Sequence, residues 1–119
     1  RADLVGGIEL KDDQDEVADI LFDLARRESR AFSNQFARQL ATTLPKATRM
    51  HKTPLRGAAF RVLRAPDVPS VLLELGYLTT VEDAKMMQTE EWRRDTANAA
   101  AEAIERFITE RIDRERNKP

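Results

Sequence analysis

The chain has no cysteine and a single histidine among its 119 residues. The first absence excludes a disulfide framework and any thiolate metal site. It leaves the compartment open, because cytosol and an oxidising periplasm both accommodate a cysteine-free chain. The scarcity of histidine matters as much. A catalytic zinc takes three protein ligands, mostly His with a Glu or Asp, so a chain whose only imidazole is His51 is poorly equipped to assemble such a site alone. No apolar run approaches the roughly 18–20 residues that cross a bilayer. Nor is there an excess of one charge: 20 Lys and Arg face 21 Asp and Glu, for a net charge of −1. That balance argues against a nucleic-acid surface and removes any whole-molecule attraction to anionic lipid. The length suits one domain or a piece of one. No signal peptide is visible, but the chain opens on Arg1 and not on Met, as a processed piece would, so this says little about targeting.

What is present begins with helix. The pair Gly6-Gly7 is expected to interrupt regular structure, and Asp13 with Glu16 reads as a helix cap and its third-position partner. From Gln14 to Leu44 there is no Gly or Pro. Val17, Ile20, Leu21 and Leu24, then Phe32, Phe36, Leu40 and Leu44, recur at three- and four-residue steps. The pattern predicts one long amphipathic helix, or two with a break near residues 28–30. Leu21 and Phe22 are expected in the core. Being about 100° apart on a helix, one of them could instead remain available to a partner.

Pro45 ends that pattern, and Lys46 to Arg56 reads as a basic connecting loop. The period then changes. Residues 58–64 alternate apolar and basic side chains, the signature of a strand with one wet face. A proline-punctuated turn, residues 65–69, leads into Ser70 to Leu78, a near-continuous apolar run expected to be a strand buried on both faces. Thr79-Thr80 can cap a short helix over Val81 to Gln88. A last helix starts at Thr89, with Trp92, Thr96, Ala99, Ala100, Ala103, Ile104, Phe107 and Ile108 on its inner stripe. The tail from Asp113 is expected to fray. This order predicts an α/β fold, specifically the C-terminal part of a mostly parallel sheet flanked by helices, with a long N-terminal helical segment. Two strands do not make an independently stable sheet, so the pattern is that of an incomplete layer.

Glu74 stands in the middle of the most apolar run. A carboxylate there is costly to bury unless it is paired, near a metal or protonated. At the end of a parallel strand it would face the crevice where open α/β sheets bind ligands, and Gly76 would leave that face uncrowded. The plainer reading is a structural Glu that simply reaches solvent or pairs with a nearby Arg, Arg61 or Arg64 on the neighbouring strand.

The run from Val62 to Leu78 resembles the closing motif of the zinc-dependent N-acetylmuramoyl-L-alanine amidases: a strand ending VL(R/K), a proline-flanked turn, then P-(S/A)-(V/I)-L-(V/I)-E-x-(G/A)-(F/Y)-(L/I)-(S/T)-N. Residues 3–8 and 21–24 resemble the variant used in Gram-negative cell division, and the likeness continues through Glu82-Asp83 and the last helix. Residues 1–119 would then be the C-terminal portion of one catalytic domain. Within it, about 1–29 would be a regulatory helical insert and 57–112 the closing strands and helices. The resemblance implies that Glu74 is the catalytic glutamate beside a Zn2+ whose ligands are expected upstream of this chain. It would exchange protons with water and the leaving nitrogen as the amide between N-acetylmuramic acid and L-alanine is cut. The chain alone is then expected to be zinc-free and inactive. The resemblance also implies peptidoglycan as substrate, export to the periplasm, and a LytM-type activator protein that relieves occlusion by the helical insert. His51 matches no ligand position, and Thr80 stands where the family has Asn. The alternative is a non-enzymatic interaction module, either a degenerate relative or a helical adaptor using residues 14–44. Glu74 is the feature against an adaptor.

Overall fold

The computed structural model describes the backbone of residues 3–57, 63 and 65–119, and the side chains from residue 14 onward within those spans. Three α-helices appear: α1 (Asp3–Thr43), α2 (Val81–Gln88) and α3 (Glu90–Arg116), with a 3-10 turn, Leu44–Lys46, closing α1.

Helix α1 is one uninterrupted element. It passes through the Gly pair and through Asp13–Glu16, where a start was expected, and it has no break near residue 28. Once a helix is nucleated each further residue adds a hydrogen bond, so a glycine costing about 1 kcal/mol relative to alanine weakens such a run without ending it. Pro45 does end it. Proline has no N–H to give to the helical ladder, and here it sits at the start of the 3-10 turn, where none is required.

Helices α1 and α3 pack antiparallel. Phe32 lies under the Arg111 guanidinium, 4.6 Å from the ring centre, and Phe36 stacks on Phe107 at 5.1 Å. Further along, Gln39 Nε2 donates to Glu110 at 2.9 Å, and Lys46 meets Glu102 at 3.3 Å. From Phe32 with Arg111 to Lys46 with Glu102, the residue number rises along α1 while it falls along α3. Between them Leu40 and Leu44 bury against Ala99 and Ala103, whose small side chains let the two axes approach. Phe36, Ala47, Met50, Val71 and Ala100 border this core. The stripe predicted for α3 is therefore correct at Thr96, Ala99, Ala103 and Phe107. Ile104 and Ile108 point outward instead, and the helix continues through the tail as far as Arg116.

Extrapolating that register, α3 ends alongside about residue 27 of α1. The first half of α1 thus extends past its partner, and Val17, Ile20, Leu21, Phe22 and Leu24 are all more than half exposed. This corrects the expectation that Leu21 and Phe22 are core. The projection sets the shape: the radius of gyration is 20.8 Å, against about 13–14 Å for a compact chain of this length.

The expected parallel sheet is absent. Among the described residues there is no strand, and the architecture is helical. The first strand candidate, residues 58–64, lies outside the described residues apart from Leu63. The second, Ser70 to Leu78, is non-helical backbone without ladder partners. A strand is stable through its neighbours, and this run has none among the described residues. Nor is it covered on both faces. Val71 reaches the core, but Leu72, Leu73, Leu75, Tyr77 and Leu78 are exposed.

Candidate functional site around Glu74

The run that carries Glu74 is tied down at both ends. At its start, Ser29 and Ser33 sit one turn apart on α1 and act together. The Ser29 hydroxyl donates to the Pro66 carbonyl at 2.6 Å, and the Ser33 hydroxyl donates to the Ser29 carbonyl at 2.7 Å. The Ser33 oxygen in turn accepts the backbone N–H of Ser70 at 2.8 Å. Two serines facing inward from a helix thereby hold the proline turn. Ser29 is buried, and its hydroxyl has found a partner, as a buried polar group must.

At the far end the Tyr77 N–H donates to Asp83 Oδ2 at 3.0 Å, and the Thr80 N–H donates to the Tyr77 carbonyl at 3.1 Å. Asp83 lies in the first turn of α2, where a carboxylate also suits the helix dipole. Gly76 lies against this contact: a Cβ on it would stand 3.4 Å from both Asp83 Oδ2 and the Met87 methyl, at the near edge of ordinary van der Waals contact. Thr80 occupies the cap position of α2 as expected, although its side chain makes no capping hydrogen bond.

Between these ties, Leu73 and Leu75 flank Glu74 and line an open groove with Trp92, Arg93, Thr96, Ala97 and Ala100 of α3. Trp92 also donates its indole N–H to Thr48 Oγ1 at 3.0 Å. One α3 residue therefore supports both the Glu74 run and the stem of the basic loop. Glu74 itself is exposed. Among the described residues it has no ion pair or side-chain hydrogen bond, and the proposed partners Arg61 and Arg64 lie outside them. Such a carboxylate is a proton acceptor open to solvent, on a backbone fixed by hydrogen bonds four residues before it and three after.

His51 is elsewhere, in the loop after the 3-10 turn. Its Nδ1 accepts the Thr53 N–H at 3.1 Å, and Arg56 Nη2 lies 3.2 Å and 3.0 Å from its two ring nitrogens. One nitrogen of this imidazole is thus engaged by an amide, and a guanidinium lies against the ring. Among the described residues no group of three or more His, Asp or Glu side chains could hold a metal ion. The described residues alone therefore do not make up a zinc site.

Residues 12–106 match the N-acetylmuramoyl-L-alanine amidase family, Amidase_3, and the chain belongs to that family. It is 28% identical over 109 residues to the N-acetylmuramoyl-L-alanine amidase AmiC of Escherichia coli O6:H1, covering 92% of this chain and 26% of that protein. It is 31% identical over 107 residues to AmiC of Neisseria meningitidis serogroup B, covering 90% and 26%. Against AmiA of Escherichia coli K12 it is 31% identical over 104 residues, covering 87% and 36%. The chain thus spans between a quarter and somewhat over a third of the length of these relatives. The matched residues include the whole Glu74 run, both of its ties and most of α3.

Proposed function

We propose that this chain is part of a peptidoglycan amidase that cleaves the bond between N-acetylmuramic acid and L-alanine, with Glu74 as its proton-handling carboxylate. The observation that supports this is the family motif at Pro69–Leu78, lying inside the matched residues 12–106 and presenting Glu74 to solvent on a pinned backbone.

In this reading Glu74 takes a proton from the attacking water as its oxygen adds to the lactyl carbonyl carbon. It then returns that proton to the L-alanine nitrogen as the C–N bond breaks, leaving a muramoyl carboxylate and a free amine. Leu73 and Leu75 on either side seat the run against Trp92 and keep the carboxylate on the solvent face. The zinc that the family implies would polarise the carbonyl and the water. Its ligands would come from the remainder of such an enzyme, because the described residues supply none. The setting is the periplasm, in cell-wall remodelling and daughter-cell separation.

Helix α1 supports a regulatory element in the same reading. Its projecting half exposes a row of apolar side chains from Val17 to Leu24, suited to covering a site or meeting a LytM-type activator.

Dye release from purified sacculi by the whole enzyme tests the role of Glu74. Loss of a general acid–base group typically costs about 10²–10⁴ in rate, and Glu74→Gln is expected to fall in that range. Near wild-type release by the variant would remove Glu74 from the chemistry.

A further inference from the structure

The near-zero net charge conceals a segregation. From Ser29 to Pro66 there is no Asp or Glu, while Arg30, Arg38, Lys46, Arg49, Lys52, Arg56, Arg61 and Arg64 all fall there. Every carboxylate side chain lies outside that stretch. Within the described part of it, two cations are neutralised from α2 and α3: Lys46 by Glu102 at 3.3 Å, and Arg49 by Glu82 at 3.6 Å. Lys52 and Arg56 have no carboxylate partner among the described residues, and both are exposed.

Arg56 is also held in place. Its Nη2 is within 3.2 Å of both nitrogens of His51, and the lone pairs of those nitrogens diverge in the ring plane. A single atom close to both therefore lies over the ring face, so the guanidinium rests on the imidazole. The ring is steadied in turn by the Thr53 N–H on Nδ1. Arg56 is exposed, so its other guanidinium N–H groups are left to solvent on a group already held at one nitrogen. That is the condition under which Arg grips a carboxylate with two parallel hydrogen bonds. Gly57, immediately after, has nothing among the described residues within 4 Å of where a Cβ would stand. The loop joins the Glu74 run through Trp92, which bonds Thr48 and lines the groove beside Leu73 and Leu75.

We propose that Lys52 and Arg56, with Arg56 steadied on His51, form a docking surface for the free carboxylates of peptidoglycan stem peptides. It would hold the polymer beside the cleavage site without taking part in the chemistry. The inference rests on the amidase reading for its choice of polymer. Nucleic acid is the less suitable anion, because the loop from Lys46 to Arg56 contains no Phe, Tyr or Trp on which a base could stack, and one face of its single imidazole is taken by Arg56.

Co-sedimentation of the full chain with purified sacculi at low salt tests this. Lys52→Gln/Arg56→Gln is expected to bind about fivefold more weakly, roughly two- to threefold for each exposed ion pair lost. Arg114→Gln/Lys118→Gln, which removes the same charge from the far end of α3, should bind like wild type. Sacculi whose carboxylates have been converted to amides should lose the unmodified chain to the same extent, an arm that needs no variant to fold. Unchanged binding in either the double variant or the amidated sacculi overturns the proposal. So does equal weakening by the control variant, or tighter retention on duplex DNA than on sacculi. Binding is measured without hydrolysis, so a failure here leaves the Glu74 result standing, and the reverse also holds.

Discussion

Replacing Ser33 by alanine removes one oxygen shared by two parts of the molecule. That hydroxyl donates to the Ser29 carbonyl and accepts the Ser70 amide, joining α1 to the start of the Glu74 run. The bond to Ser29 is local, and losing it leaves the carbonyl with its place in the helical ladder. The bond from Ser70 is different, because the amide is partly buried and Ser33 is its one partner among the described residues. Stranding such a donor costs about 1–2 kcal/mol. The loss should fall on the tie and not on the α1–α3 core, so global unfolding by denaturant is expected to move less than local opening at Ser70. Amide hydrogen exchange separates the two. At constant pH, exchange at Ser70 should accelerate about 5- to 30-fold, the factor that corresponds to this range of free energy. The amides of Ala99 and Ala103 should change far less. Ser70→Ala is the control, since it removes only the hydroxyl's bond to the Val68 carbonyl and keeps the N–H in question. If Ser70 exchanged within about twofold of wild type in Ser33→Ala, the amide would not depend on this bond, and the account of how the run is fixed would be wrong.

Two further outcomes are expected. Thr43 and Thr96 are buried with hydroxyls that have no hydrogen-bond partner among the described residues, so Thr43→Val and Thr96→Val should each raise stability by about 1 kcal/mol in urea unfolding; a loss of stability would mean that the hydroxyls are in fact satisfied. In the whole enzyme, deleting residues 12–27 should raise basal dye release from sacculi, and unchanged release would count against a regulatory role for the projecting part of α1.

Helices were legible because their signal is local. The three- and four-residue spacing from Phe32 to Leu44, the stop at Pro45 and the acidic first turns of α2 and α3 all act within a few residues of themselves. The extent of α1 was less so. Gly6-Gly7 and Asp13 look like punctuation, and whether a helix stops at such residues depends on what it has to gain by continuing. The apolar run around Glu74 misled for a physical reason. Its composition suits a buried strand, but burial and pairing are supplied by other segments, and among the described residues only one face of it meets α3. Ser29 and Ser33 carried no sequence signal at all. Two serines in a helix usually face water, and only the position of the proline turn turns them into a clamp. The family likeness at Pro69–Leu78 was readable because it depends on residue identities in order, which survive whether or not the run is paired.

The overhang of α1 beyond α3 also has a bearing on how the chain unfolds. A helix held only by its own hydrogen bonds is marginal in water, whereas one pressed against a partner is not. Residues 14–26 and residues 29–43 of one continuous helix therefore have different reasons to exist. On warming, the overhang should melt gradually while the part beneath Phe107 and Ala103 persists. Backbone circular dichroism would fall over a broad interval, ahead of the near-ultraviolet signal of Trp92, which reports the packed end. A single transition temperature would describe neither half, and the point at which the two signals part would mark where packing takes over from propensity along one rod.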